Sequence, residues 1–322
     1  MLLIYWSTKD NPCGSGKTEI LFEGINSALE MGQNVLIATP RRDVVHELTP
    51  RLKKVFPDVE VLSLYGGSED RGKSGQLIIA TTHQLLRYEN CFDFVVIDEV
   101  DAFPLSYDPM LKHAINQAGK NDATTILLTA TPDKQLQKQV QNGILTAVKI
   151  PKRYHGFPLP VPKLKWIGSW QNQLKKADIP SLLTDWLSEK VAAQQQAFLF
   201  VPSVTVLKKL VPLLQTQFQA LDGVHSEDPE RNEKVQKFRN AEIQLLVTTT
   251  ILERGVTVAN VAVAIYGADD DVFSESALVQ ISGRVGRSSE FPSGEIIFFH
   301  YGKTEAMLDA IDHINEMNKL GS

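Results

Sequence analysis

Cysteine is scarce in this sequence. Cys13 and Cys91 are the only two in 322 residues, which excludes a disulfide framework and a four-cysteine zinc site within the chain. The histidines, among them His46, His83, His155 and His225, show no ligand spacing and are expected at the surface or satisfied in the interior. No apolar run approaches the roughly 20 residues that a membrane-spanning helix needs. The apolar opening Met1-Leu2-Leu3-Ile4-Tyr5-Trp6 lacks a basic segment and is too short for a signal peptide. It reads as a first strand, and the protein as cytoplasmic. An excess of positive charge is missing as well: the net charge is −5. That excludes a protein coated in basic surface but leaves room for a local basic groove, because the field near a cleft depends on where the charges lie.

What is present is 43% apolar and 22% charged, the composition of a soluble globular protein. The length exceeds one typical domain, and two are expected. The most informative stretch is Phe94-Val95-Val96-Ile97-Asp98-Glu99-Val100-Asp101. Its apolar run is too short for a helix and rich in Val and Ile, which reads as a strand buried on both faces, as in a parallel sheet. The acids then fall at the carboxyl end of that strand, where open α/β sheets bind ligands. A carboxylate there suits Mg²⁺, a hard cation that takes one or two acids together with phosphate oxygens.

A phosphate site precedes it. Cys13-Gly14-Ser15-Gly16-Lys17-Thr18-Glu19 follows the first strand and opens a helical pattern that runs to about Met31. Strand, glycine-rich loop, Lys-Thr and helix make the P-loop arrangement, in which backbone N–H groups and the helix N-terminus cradle phosphates. Lys17 reaches the β- and γ-phosphates in such a loop, and Thr18 helps hold Mg²⁺. The usual first glycine of that pattern falls here at Asn11, and residues Ser7 to Pro12 make the connection unusually long.

Further strands are expected at Asn34 to Thr39, Val59 to Leu64, Leu77 to Ala80 and Thr125 to Leu128, alternating with helical segments. That alternation implies right-handed βαβ units and a parallel sheet. The first domain is expected over residues 1–150. Residues 151–166 read as a proline-rich linker with basic and aromatic side chains, since prolines at 151, 158, 160 and 162 cannot continue a helix or a central strand. A second domain of the same class is expected over residues 167–322, with strands at Ala197 to Val201, Gln244 to Val247, Val261 to Tyr266 and Glu295 to Phe299, a helix carrying Gln280 to Arg287, and a terminal helix. Asp269-Asp270-Asp271 reads as a solvated loop.

Taken in order, these stretches resemble the motif set of helicase superfamily 2. The P-loop is similar to motif I, Thr39-Pro40-Arg41-Arg42 to motif Ia, Thr81 to Arg87 to motif Ib, and Asp98-Glu99-Val100-Asp101 to motif II. Thr129-Ala130-Thr131 resembles motif III, Phe200 to Ser203 motif IV, Thr248 to Val258 motif V, and Gln280-Ile281-Ser282-Gly283-Arg284-Val285-Gly286-Arg287 motif VI. The finer wording resembles the ComFA-type competence helicases of Gram-positive bacteria, through Cys13 to Glu19, Ala80 to Arg87, Asp98 to Pro104, Gln280 to Arg287 and the joint at residues 153–162. Members of that family usually carry an N-terminal four-cysteine zinc region, and this chain begins too late to include it.

The resemblance implies two tandem RecA-like parallel-sheet domains in the α/β class and an ATP-driven motor on single-stranded DNA, acting in uptake during natural transformation. Its partners would be uptake-machinery proteins at the cytoplasmic face of the membrane. ATP and Mg²⁺ are the cofactors it implies. Gly14, Ser15, Gly16, Lys17, Thr18 and Glu19 would bind nucleotide. Asp98 would hold Mg²⁺ with Thr18, Glu99 would act on the attacking water, and Gly255 and Gln280 would lie near the γ-phosphate. Arg284 and Arg287, expected three residues apart on one helix face, would serve as arginine fingers. Arg41, Arg42, Thr82, Arg87, Ser203 and Thr249 would contact nucleic acid as strand-end donors to phosphate. Asp101, Thr129 and Thr131 would couple the sites, Asp101 by tying its edge to the arginine-bearing helix. Three other readings stay open: a replication-restart or repair DNA helicase, an RNA helicase, and a weakly hydrolysing ATP-switched DNA-binding scaffold.

Overall fold

The computed structural model describes residues 2–6, 21–102, 104–105, 108–129, 131–150, 156–250 and 258–321. The chain divides into two compact units at Ile150 and Pro151.

The first unit is built on a seven-stranded sheet of β1 (Leu2–Trp6), β2 (Val35–Thr39), β3 (Val61–Leu64), β4 (Leu77–Thr81), β5 (Phe92–Ile97), β6 (Gly119–Thr129) and β7 (Thr146–Ile150). The order across it is β3-β4-β2-β5-β6-β1-β7, and every pair is parallel. Parallel strands need crossovers, and here α1 (Phe22–Glu30), α2 (Arg42–Val55), α3 (Pro109–Ala118) and α4 (Lys134–Gln141) lie among them. Successive residues of a strand point to opposite faces, so the sheet buries two separate cores. Val35 and Ile37 pack with Ile25, Val45 and Leu48 on one face, while Leu36 and Ala38 pack with Leu111, Ala114 and Ala118 on the other. Both faces are covered, which is why these strands read as continuous apolar runs.

The second unit repeats the plan with β8 (Lys163–Trp166), β9 (Gln196–Phe200), β10 (Leu221–Val224), β11 (Leu245–Thr248), β12 (Val261–Tyr266) and β13 (Ile296–His300), in the order β10-β11-β9-β12-β13-β8 and again all parallel. Its helices are α5 (Trp170–Lys175), α6 (Ser181–Ala192), α7 (Val204–Gln215), α8 (Arg231–Arg239), α9 (Glu275–Ser282) and α10 (Glu305–Gly321). The core is rich in aromatic side chains: Phe198, Phe200, Phe238, Phe273, Phe298 and Phe299 are fully buried. Two parallel-sheet α/β units are therefore what the alternation of strands and helices led one to expect.

Two local readings differ from the structure. The stretch taken as linker through 166 ends in β8, which pairs with β13 in the register Ile297↔Lys163 to His300↔Trp166. Its prolines stop at 162, so Lys163 onward keeps the backbone donors a ladder needs. The helix expected to carry Gln280 to Arg287 ends at Ser282, with Gly283 as its C-cap. Arg284 and Arg287 thus stand in the turns that follow it, not on a helix face. Gly286 closes those turns at φ +76°, a left-handed conformation that glycine adopts without steric cost.

Candidate nucleotide and nucleic-acid site

Each strand of the first sheet delivers its following residues to one carboxyl edge. Asp98 and Glu99 leave β5 there, and the backbone fixes both. Asp98 N–H donates to Ala38 O at 2.7 Å, prolonging the β2–β5 pairing. Its carboxylate Oδ1 then accepts the N–H of Glu99 at 2.9 Å. Glu99 sits at φ +55°, in the left-handed region that non-glycine residues seldom occupy. Such a strained conformation persists only where its surroundings over-determine it. Here the Asp98 bond, the bond from Ala102 N–H to Glu99 O at 2.9 Å, and the neighbouring bond from Val100 N–H to Leu128 O at 3.1 Å hold the turn.

Asp101, two residues on, accepts a hydrogen bond from the Thr131 hydroxyl at 2.8 Å. Thr131 N–H in turn donates to Thr129 Oγ1 at 3.1 Å. Asp101, Thr129 and Thr131 therefore form one hydrogen-bonded chain joining the ends of β5 and β6. That bond of Asp101 stays within the first unit, where the sequence reading had looked to the arginine-bearing helix of the second.

Arg41 follows β2, the neighbour of β5, and its Nε lies 3.8 Å from Glu99 Oε2. Arg42 begins α2, donates through Nε to His46 Nε2 at 3.0 Å, and places its guanidinium 4.5 Å from the centre of the Tyr65 ring. Beyond β4, a 3₁₀ segment runs over Thr82–Arg87 and leaves Arg87 exposed. Thr82 differs from its expected place at a nucleic-acid surface: it is fully buried, and its hydroxyl has no hydrogen-bond partner. The 3₁₀ turn tucks that side chain beneath the sheet edge and leaves the outward position to His83, which is exposed.

In the second unit, Ser203 caps α7 by accepting Val206 N–H at 3.2 Å, so its hydroxyl has a structural task beside any contact with phosphate. Thr249 is buried just past β11. Gln280 is buried in α9 and its side-chain amide donates to Ser276 Oγ at 3.1 Å. Arg284 is almost wholly buried at 1% exposure, with its guanidinium 5.4 Å from the Phe198 ring centre. Arg287 is 7% exposed and ties its own turn through Nε to Gly283 O at 3.1 Å. Charged side chains are seldom so buried without a purpose or a partner. Sequence reasoning passed over Phe198 as the seat of Arg284, because a phenylalanine in an apolar strand carries no mark of that duty. It also read Arg41 as a phosphate contact alone.

Gly14, Ser15, Gly16, Lys17, Thr18, Glu19 and Gly255 lie outside the described residues. The acidic half of the site can still be tested against Mg²⁺. Asp98, at a strand end and 9% exposed, offers the hard oxygen donor that cation prefers. It fits. Among the described residues no group of three or more His, Cys, Asp or Glu is placed to hold a metal by itself, and no helix is long and apolar enough to cross a membrane.

Residues 10–139 match the DEAD/DEAH box helicase family, and residues 175–289 match the helicase conserved C-terminal domain. The chain is 49% identical over 320 residues to the competence protein ComFA of Bacillus subtilis strain 168, a match covering 99% of this chain and 68% of that protein. It is 38% identical over 308 residues to ComFA of Streptococcus pneumoniae strain R6, covering 95% of this chain and 71% of that one. Among solved structures, Saccharomyces cerevisiae Dbp5 bound to RNA and ADP BeF3 has a TM-score of 0.69 at 16% identity, covering 98% of this chain and 83% of that one. That likeness speaks to the RecA-like fold. With the motif acids, the buried arginines and these relatives together, the chain belongs to the ComFA family of competence proteins and is a superfamily 2 helicase ATPase.

Proposed function

We propose that this ATPase is a translocase on single-stranded DNA, hydrolysing ATP to ADP and phosphate with Mg²⁺ and serving DNA uptake during natural transformation. The observation that supports it most is the edge after β5, where Asp98 fixes Glu99 by a hydrogen bond to its N–H while Asp101 is bonded to Thr131. Phosphoryl transfer to water needs positioning and charge stabilisation more than covalent chemistry. Glu99, held on a fixed backbone, orients the attacking water and accepts its proton. Lys17 neutralises phosphate charge, Asp98 and Thr18 hold the cation, and Gly14 to Glu19 cradle the phosphates by backbone N–H groups. Bound Mg²⁺ supplies charge neutralisation of the phosphate oxygens. Arg284 and Arg287 stabilise the transition state, with Gln280 and Gly255 beside the γ-phosphate. Arg41, Arg42 and Arg87 meet the phosphates of the nucleic acid from the first unit, and Ser203 and Thr249 meet them from the second. Proteins of the uptake machinery at the inner face of the membrane are its proposed partners.

Steady-state ATP turnover at one stated salt concentration, without polymer and with single-stranded DNA, duplex DNA or RNA, tests this reading. Single-stranded DNA is expected to stimulate most, and Lys17→Ala or Glu99→Gln to abolish turnover. Near-normal turnover in either variant, or stimulation by RNA alone, would overturn it.

A further inference from the structure

The contact between Arg41 and Glu99 joins two residues to which the proposed function gives different tasks, one toward nucleic acid and one toward water. It arises from the topology. β2 and β5 are neighbours whose register ends at Ala38↔Ile97, and the chain turns away from both at the same edge. Arg41 stands at the N-cap of α2 with an extended backbone, and its side chain is 28% exposed. Glu99 is 15% exposed and its Oε2 is shut off from solvent. At 3.8 Å the two groups attract as charges without forming a hydrogen bond. Glu99 is the member with a fixed backbone, at φ +55° and bonded to Asp98 through its N–H. Arg41 stands on a long and partly exposed stem, with a side of its guanidinium open to solvent.

We propose that Arg41 is a positioning residue that makes hydrolysis depend on DNA: without DNA its cation holds the Glu99 carboxylate, and a DNA phosphate releases it. This rests on the reading of Glu99 as the residue acting on water. While the Arg41 cation attracts the Glu99 carboxylate at this distance, the carboxylate is held toward the guanidinium rather than toward the attacking water. A guanidinium serves phosphate with the same donor fork that serves carboxylate. A phosphodiester arriving at the exposed side of Arg41 therefore competes with Glu99 for one group. Once Arg41 turns to the phosphate, Glu99 accepts the proton of the attacking water as that water adds to the γ-phosphorus and ADP leaves. The signal from polymer to chemistry crosses one side chain and needs no rearrangement of the sheet.

The experiment is ATP turnover by the full 322-residue chain carrying R41Q, R41K or R41Q with E99Q, each with and without an oligothymidylate single strand. R41Q is expected to raise the DNA-free kcat about tenfold, a part of the roughly 10²- to 10⁴-fold that a general base contributes. Its stimulation by DNA should fall toward unity and its KM for ATP should stay as in the parent. R41K keeps the cation and is expected to retain both the low DNA-free rate and the stimulation. The double variant should lose the gain, because the gain acts through Glu99. R41M removes the same charge and carries the test if R41Q does not fold. A DNA-free kcat in the charge-removing variants equal to or below that of the parent overturns the proposal, as does a gain that survives E99Q. A parent chain with no ATP turnover at all overturns instead the hydrolase reading on which the proposal rests.

Discussion

The two units share one construction and hold their charged residues by different means. In the first, Asp98 and Glu99 stand at a strand end over a largely aliphatic core, and hydrogen bonds of the backbone fix them, to the point of keeping Glu99 at φ +55°. In the second, Arg284 and Arg287 lie buried past the end of a helix, Arg284 packed beside Phe198 and Arg287 also tied by its Nε to the carbonyl of Gly283. The difference follows from size and chemistry. A carboxylate is short and accepts from nearby N–H groups, so a strand end and its turn suffice. A guanidinium stands on a long flexible stem with several donors, and packing that stem removes its rotamer freedom before any substrate arrives. An aromatic face adds attraction for the cation. The second unit thus seats a buried guanidinium against an aromatic ring of its core, while the first sets its acids at a strand end by hydrogen bonds.

The largest test of that contrast removes one arginine. Arg287→Ala is expected to lower kcat for ATP by about 10³-fold or more, the scale of an arginine finger, as read by steady-state turnover. Next in size is Phe198→Ala, which empties a fully buried site. It should cost about 3–5 kcal/mol by chemical denaturation and lower turnover further by loosening Arg284. If Phe198→Ala left turnover per folded molecule unchanged, packing would not be what positions that arginine. Thr131→Val, in the first unit, deletes the hydrogen bond to Asp101 and should cost about 1 kcal/mol of stability, measured in the same way.

The smallest effect is one of pH. His300, at the end of β13, is 4% exposed, and burial lowers its pKa below the ordinary 6.5 against the opposing pull of Asp269. The folded chain therefore keeps His300 neutral where the unfolded chain already protonates it. Its stability contribution is fully present above 6.5 and is lost as pH falls through the lowered value. His300→Leu should flatten that part of the curve of melting temperature against pH, relative to the parent, below 6.5.

Legibility in the sequence followed the range of the interactions. The strand of Phe94 to Ile97 and the acids after it stand within eight consecutive residues, and their burial and edge position follow from local pattern and from the rule for parallel sheets. The same holds for β2, β9 and β12, whose apolar runs record helices on both faces. Arg284 and Arg287 were found by their wording but misplaced on a helix, because spacing of three is shared by a helix face and by a pair of turns. Only the backbone at Gly283 and Gly286 tells them apart. β8 was hidden behind its prolines.

By itself, then, the sequence determined the two-lobed α/β plan, the family, and which residue types stand at the carboxyl edges, since each of these rests on short periodic patterns and adjacent residues. Tertiary structure alone decided that Thr82 is buried, that Asp101 bonds Thr131, that Phe198 seats Arg284, and that Arg41 faces Glu99. Those pairings join segments distant along the chain, and what brings them together is the order of strands in the sheets, which no local pattern of residues records.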